Sequence, residues 1–558
     1  MRVDHVRQDK VLRTFKGMPL ALINMVLQSR YVLDSASIRR IGFVFLLTTG
    51  LLLLLPGLGE SVMNREQELR VALTARNMAE GGSWVFPQYL GEPRLQKPPL
   101  MYWLVATAYT LTGTVTSAFV ARIPSALSGV ALMLVVYVLG GRLIGRRRAF
   151  IASFVLATSF LFLRQGRSAE TDITLTLFTT TAVLSGFLAA RSKQSTGWWV
   201  MAGISAGLGF ITKGPAAIGI PLLSWIAALW VDPSTRSRTQ FRSMIPGALL
   251  CILISAPWYI AVFLHGQHDP IVEAQLAKEL TRTFTHSKHT GPVWYYLYAM
   301  PHAMLPWCLW LPATLWHIPP VMKRRTGLRL IVAWLFIAFV CLSVISSKQI
   351  HYATLLLPPA ALLVGWFLGR RSPAHQPDFW LSQSLTFGAI ALAIGAVAVM
   401  TARVTLPDVP QLPVALGAAS ILFACLLGSS PLRPLHSRMA TLILAMSLMI
   451  HTVTTHLQGF FEKDLPVAFV ALAATSLTPE GASAFHVGEN RSILEFYSGK
   501  SMNVYPSLQS AWTAARHGDI IFASGRIKNR PPESSWPSSP VLDRAMGEIY
   551  CQAFLKKD

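Results

Sequence analysis

From residue 41 to residue 455 the chain is a succession of apolar runs separated by short polar or basic breaks. They cover 41–57, 99–114, 119–141, 148–165, 172–190, 197–212, 215–231, 243–264, 293–316, 328–346, 352–369, 380–402, 412–429 and 438–455. Most have roughly the 17–25 residues that a helix needs to cross the hydrocarbon core of a bilayer. Fourteen crossings would put Arg142, Arg146, Arg147 and Arg148 on the outer side together with Lys323, Arg324, Arg325 and Arg329, although loops rich in lysine and arginine stay in the cytoplasm. One run therefore does not cross. The stretch 99–114 is short and carries Thr107, Thr110 and Thr112. Removing it leaves thirteen spans and places 142–148, Arg191 with Lys193, Arg236–Arg242, 323–329, Arg370 with Arg371, and Arg433–Arg438 inside. The excluded stretch, "PPLMYWLVATAY", reads as an outer interfacial or re-entrant helix, started by its prolines and anchored by Tyr102 and Trp103.

The same pattern divides the chain into three parts. Residues 1–40 are a basic cytoplasmic N-terminus, and no A-x-A type site closes the run 41–57, which predicts an uncleaved signal-anchor helix. Residues 41–455 form the membrane domain, with an outer first loop over 58–118. In that loop Val71, Leu73, Thr74, Ala75 and Met78 predict an imperfectly amphipathic helix lying on the membrane. Residues 456–558 change character: short apolar runs at 484–487 and 519–524 alternate with helix-like stretches around 491–498 and 507–516, predicting a small soluble α/β domain on the outer side. The stretch "RPPESSWPSSP" is a loop.

Composition agrees that the solvent is lipid, since 52% of residues are hydrophobic and 13% charged, with a mean hydropathy of +0.45, where soluble chains carry about a quarter charged. The formal charge of +23 is dispersed in loop clusters that set topology, which excludes a continuous nucleic-acid face. Of five cysteines, Cys251, Cys308, Cys341 and Cys425 lie in apolar runs and Cys551 in the soluble segment, so no disulfide framework is present and all read as small core residues.

The outer segments carry ionisable residues: Glu68 in "REQELRVALTARNMAEGGSW", Lys97 behind two prolines, Glu170 and Asp172 in "RSAETDITLT", Lys213 in "ITKGPAA", Arg282 in the loop 265–292, and Lys348, His351 and Tyr352 in "SSKQIHYATLLLPP". Ionised groups at the edge of the hydrocarbon are costly unless paired or functional. Cations in a partly desolvated cleft bind phosphate and stabilise charge that develops on it as it leaves, and a carboxylate beside them can take a proton from an attacking hydroxyl or amine. These parts suit transfer of a group from a lipid-linked phosphate.

"ELRVALTARNMAEGGSWVFPQYLGEPRLQKPPLMYWL", followed in order by "ARIPSALSGV", "AETDITLTLF", "FITKGPAA", "APWYIAV" and "KQIHYATLLLP", resembles the GT-C glycosyltransferases of the protein O-mannosyltransferase and aminoarabinose transferase type, over about residues 41–370. The resemblance implies a fold of thirteen spans with a small periplasmic C-terminal domain, and inverting transfer from a polyprenyl-phosphate sugar at the bacterial inner membrane. Glu68 falls at an acidic residue that is half of an Asp-Glu pair in much of the family, with Gln67 in the other place. Asp172 matches the second outer aspartate. Glu68 and Asp172 are thus the implied catalytic carboxylates. Lys97, Arg282, Lys348, Tyr352 and Lys213 are the implied donor-phosphate contacts. Gln96 stands where relatives often have a metal-ligating glutamate, which speaks against a bound divalent metal; no other cofactor is implied.

Other readings compete. Glu68 also suits a helix start, Asp172 an N-cap, and Lys213 before Gly214 and Pro215 a tight outer turn with a snorkelling side chain. His351 reads as structural, and Trp198 with Trp199 as an interfacial belt. A polyprenyl-phosphate-sugar flippase would need the same ligand, but the related halves common in transporters are absent here. An inactive scaffold relative is the third class, suggested by Gln67 and Gln96. The partners expected are the lipid-linked donor, a lipid A, protein or glycan acceptor, and membrane lipids.

Overall fold

The structure is a computed structural model describing residues 35–63, 65–192, 195–231, 241–266, 291–305, 307–322, 325–345, 347–369, 466–475, 481–526, 529–546 and 549–556. Predicted spans 380–402, 412–429 and 438–455, and Arg282, lie outside the described residues. The chain divides into two units, Met1–Phe45 and Leu46–Asp558. Helix α1, Ser35–Leu54, starts in the first, and all contacts described below belong to the second.

The helices that follow are α2 (Glu66–Ala79), α3 (Leu100–Thr112), α4 (Ala118–Val135), α5 (Arg146–Ala157), α6 (Phe160–Gly166), α7 (Asp172–Ala189), α8 (Thr196–Lys213), α9 (Ala216–Val231), α10 (Ile245–Gly266), α11 (Tyr295–Ala303), α12 (Trp310–His317), α13 (Thr326–Val344) and α14 (Leu357–Leu368). Between α2 and α3, strands β1 (Gln88–Tyr89) and β2 (Glu92–Pro93) pair antiparallel. Among the described residues, five stretches are long and apolar enough to cross a bilayer: Ala118–Ile144, Asp172–Ala189, Phe241–His265, Thr326–Val344 and Ile350–Leu368. Helix α3 has 13 residues, about 20 Å at 1.5 Å per residue and too short to cross. Two predicted runs are broken. The run 148–165 bends by 68° between α5 and α6. There the hydroxyls of Thr158 and Ser159 donate to the carbonyls of Phe154 and Val155 four residues earlier, a back-bonding that often bends helices. The run 293–316 breaks after Ala303, where Leu305 gives its carbonyl to the Phe160 amide at 3.0 Å.

Small residues allow close crossings. Helix α8 packs between α7 and α10, and a Cβ on Gly203 would lie 1.9 Å from the Gly247 carbonyl oxygen. Of the tryptophan pair, Trp199 is buried edge-on to Trp225 at 5.0 Å, so the belt reading fails for it. Trp198 is half-buried beneath Arg142 at 4.7 Å.

The C-terminal region contains α15 (Pro466–Thr475), β3 (Ala484–Gly488), α16 (Arg491–Ser498), β4 (Met502–Tyr505), α17 (Leu508–Ala514), β5 (Ile520–Arg526), β6 (Leu542–Met546) and β7 (Ile549–Leu555). Its sheet has the order β4-β3-β5-β7-β6, with β3 parallel to β4 and β5, and β7 antiparallel to its neighbours. The period of two along β5 sends Ile520 and Phe522 to the core shared with α15 and α16, and Ile521 and Ala523 to the core shared with α17. Cys551 is a buried free thiol in the first of these cores.

Helix α2 does not have the single buried stripe of a helix lying on a membrane. Leu69, Val71, Ala72, Leu73, Ala75 and Met78 enter one core with Met101, Tyr102, Val105, Ala106 and Tyr109 of α3 and Phe496 of α16. Protein covers it on several sides because α16 packs onto it from the C-terminal region. Arg76 donates to the carbonyls of Glu495 and Gly499, and Ser492 donates to Glu66 at 3.2 Å.

Candidate active site

Five chain segments bring their polar side chains together. Gln67 comes from α2, Lys97 from the turn before α3, Asp172 from the start of α7, Lys213 from the end of α8, and His351 with Tyr352 from the 3-10 turn Ile350–Leu356. The Lys97 ammonium donates to Gln67 Oε1 at 3.1 Å. Lys213 donates to Asp172 Oδ1 at 2.6 Å, and its ammonium lies 4.5 Å from the Tyr352 ring centroid. His351 Nε2 is 4.0 Å from Asp172 Oδ2, and its ring meets Tyr352 edge-on at 4.7 Å. Local structure explains each position. Thr171, not Asp172, is the N-cap of α7, so Asp172 stands in the first turn, where its charge complements the helix dipole while its carboxylate reaches Lys213. Helix α8 stops at Gly214, with φ +91, which leaves Lys213 at its mouth.

The neighbours of Gln67 and Glu68 diverge, as consecutive helical positions must. Arg122 on α4 holds Glu68 through two hydrogen bonds, Nε to Oε1 at 3.0 Å and Nη2 to Oε2 at 3.2 Å, and the Ala169 amide donates to Oε1 at 2.8 Å. Glu68 is 3% exposed. Its carboxylate therefore ties α2 to α4 and to the loop before α7. In this loop Glu170 is buried, with Oε1 3.8 Å from Arg65 Nη1.

Electrostatics mark two of these groups. Burial, and then the like charge of Lys213, push Lys97 down to about 7 from the ordinary lysine value. Burial, and then the negative charge of Asp172, raise Glu170 above the usual carboxylate range. A desolvated lysine beside a second ammonium, held by a neutral amide oxygen, is prepared to take an anion.

Residues 96–260 match the family described as dolichyl-phosphate-mannose-protein mannosyltransferase. The chain is 30% identical over 310 residues to an undecaprenyl phosphate-alpha-4-amino-4-deoxy-L-arabinose arabinosyl transferase of Edwardsiella ictaluri, covering 54% of this chain and 55% of that one. Against the protein of the same name from Pectobacterium carotovorum it is 28% identical over 365 residues, covering 63% and 64%. The matches thus span between half and two thirds of these relatives. In structure it resembles the crystal structure of ArnT from Cupriavidus metallidurans bound to undecaprenyl phosphate, with a TM-score of 0.74 and 19% identity over 91% of this chain and 97% of that one. The chain has the fold of that protein, the GT-C membrane fold.

Within this GT-C fold the residues expected from sequence separate into two groups. Lys97, Asp172, Lys213 and Tyr352 converge. Lys348 does not join them, because its ammonium donates to the carbonyls of Leu342, Ser343 and Ile345 at the end of α13, the acceptors that a helix C-terminus leaves open. Glu68 serves Arg122. Gln96 accepts from Arg94 at 2.9 Å, and no three His, Cys, Asp or Glu side chains converge as metal ligands among the described residues. His351, expected to be structural, lies in the cluster. Sequence reasoning gave Gln67 no place in the site; its position one residue before a buried acid on α2 was the available signal.

Proposed function

We propose that this GT-C protein is an inverting glycosyltransferase that moves a sugar from a polyprenyl-phosphate donor to an acceptor at the periplasmic face of the bacterial inner membrane. The observation that carries this reading is the pair of lysines, Lys97 and Lys213, brought beside one carboxylate at the end of apolar helices. The fold shared with a protein captured with undecaprenyl phosphate supports the choice of donor.

In this reading Lys97 and Lys213 hold the donor phosphate. Burial and, after it, repulsion from Lys213 disfavour the charge on Lys97; an entering phosphate favours that charge, and the same two cations stabilise the extra charge that appears on the phosphate as the sugar departs. Asp172 fixes Lys213 through the 2.6 Å contact, and Tyr352 packs under it. Arg282 is a further phosphate contact and lies outside the described residues. Glu68 acts by holding α2, and with it Gln67, against α4. The acceptor attacks from the side opposite the phosphate, which inverts the anomeric centre. The relatives' names make an undecaprenyl-phosphate amino-pentose the first donor to test, and lipid A, protein and glycan are the acceptors to test with it.

The test is mass spectrometry of lipid and envelope extracts from cells with and without the gene. Accumulation of a polyprenyl-phosphate sugar, with loss of the same sugar mass from one envelope component, is the expected result. An unchanged envelope in cells that express the protein refutes the transferase reading. Binding of undecaprenyl phosphate without any such change would identify the inactive scaffold instead.

A further inference from the structure

A glycosyl transfer of this kind needs a carboxylate that is free to take a proton, and most carboxylates near the lysines are committed. At α2 the side chain that meets Lys97 is an amide, Gln67. Glu68 is saturated by Arg122 and the Ala169 amide. Asp172 is bound to Lys213 at 2.6 Å, and a carboxylate that holds a permanent cation is a poor proton acceptor. Glu170 differs. Its backbone is fixed, because its carbonyl accepts from Ser125 at 3.2 Å and its amide donates to Ser168 at 2.7 Å, while Ala169 is pinned to Glu68. Its carboxylate has one ion pair at 3.8 Å, with 8% of the side chain open, and no hydrogen-bond donor among the described residues reaches it.

Resting on the transferase reading above, we propose that Glu170 is the catalytic base: it takes the proton of the acceptor's nucleophile. The acceptor's oxygen or nitrogen forms a bond to the anomeric carbon. The bond from that carbon to the phosphate oxygen breaks, and polyprenyl phosphate leaves with the electron pair. The proton passes to the Glu170 carboxylate and from there to water. The charged groups acting on Glu170 are Asp172 on α7, Glu68 on α2, Arg65 before α2, Lys97 before α3 and Arg164 on α6. Burial and the two nearby acids make the carboxyl easier to protonate than an exposed glutamate, which helps it to hold the abstracted proton.

The experiment compares wild type, Glu170→Gln and Glu170→Asp, all full-length. Sugar transfer to the envelope is followed by mass spectrometry in cells with a permeabilised outer membrane, at external pH 5 to 8, so that the outer face sees the set pH. Undecaprenyl phosphate binding to purified protein is measured in parallel. Loss of a general base costs about 10²–10⁴-fold in rate, so Glu170→Gln is expected to fall by that much, to lose the acid limb of the profile, and to bind undecaprenyl phosphate within twofold of wild type. Glu170→Asp restores part of the rate together with the acid limb. Glu170→Gln that keeps a tenth of the rate or more, or that loses undecaprenyl phosphate binding with its rate, overturns the proposal and leaves the transferase reading intact. A wild type that neither transfers sugar nor binds undecaprenyl phosphate removes both.

Discussion

The buried pair between Glu68 and Arg122 separates a structural role from a chemical one. Both side chains are about 3% exposed, and Arg122 is held further by the carbonyls of Leu58 and Ser61 at 2.9 Å and the Ser61 hydroxyl at 2.7 Å. Removing one partner of such a pair leaves the other charge buried, at a cost of about 3–5 kcal/mol. Glu68→Gln keeps an oxygen for the Ala169 amide but turns an NH2 group toward the guanidinium. It is expected to lower the thermal midpoint of the purified protein and the yield of monodisperse material, and Arg122→Met to do the same. Glu68→Leu combined with Arg122→Met removes both charges, and the double variant should be more stable than either single loss, since the two effects share one interaction. Intrinsic tryptophan fluorescence during heating, with size-exclusion profiles, reads all four proteins. A Glu68→Gln protein with the wild-type midpoint and no turnover would refute this reasoning and return Glu68 to the chemistry.

Lys97→Met should abolish undecaprenyl phosphate binding while leaving the thermal midpoint within a few degrees, because a half-buried lysine is exchanged for an apolar side chain; unchanged affinity would remove Lys97 from the phosphate site. For wild type the sign of the pH effect follows from the lowered lysine: near pH 7 the empty site holds a partly neutral Lys97, while the phosphate favours the charged form. Affinity therefore falls as pH rises above 7, by at most about tenfold per unit for one group, and a flat titration between pH 6 and 9 would contradict it. Gly203→Leu places atoms where the Gly247 carbonyl sits; overpacking costs about 1–3 kcal/mol, and loss of folded protein is expected, with a wild-type midpoint as the refuting result. Phe496→Ala removes the aromatic ring that joins α16 to α2 and α3, a loss of about 3–5 kcal/mol, measured as faster proteolytic release of the C-terminal region.

The sequence was most legible where one physical rule acts alone. Continuous apolar runs foretold the stretch Ala118–Ile144 and helices α7, α10, α13 and α14 to within a few residues, and short apolar runs between helix-like stretches foretold β3 and β5. The break at Thr158 and Ser159 was hidden because two hydroxyls in an apolar run hardly change its hydropathy, yet they can take the backbone carbonyls. Side-chain direction was less legible still. Lys348 and Lys97 look alike beside an apolar run, but one lies within reach of the open carbonyls of α13 and the other, among the described residues, donates only to the Gln67 amide.

That difference locates the chemistry. Lys348 is neutralised in effect by helix carbonyls, and Glu68 by Arg122, so each satisfies its charge inside the scaffold. Lys97 is satisfied by one neutral oxygen and faces the positive field of Lys213, a combination unfavourable in an empty site and favourable once phosphate is present. Gln67 carries no charge, so the side chain that holds Lys97 does not compete with that phosphate. An amide cannot take a proton from the acceptor either, which is why the loosely held carboxylate of Glu170, set by a loop that Glu68 itself anchors, becomes the group on which turnover should depend.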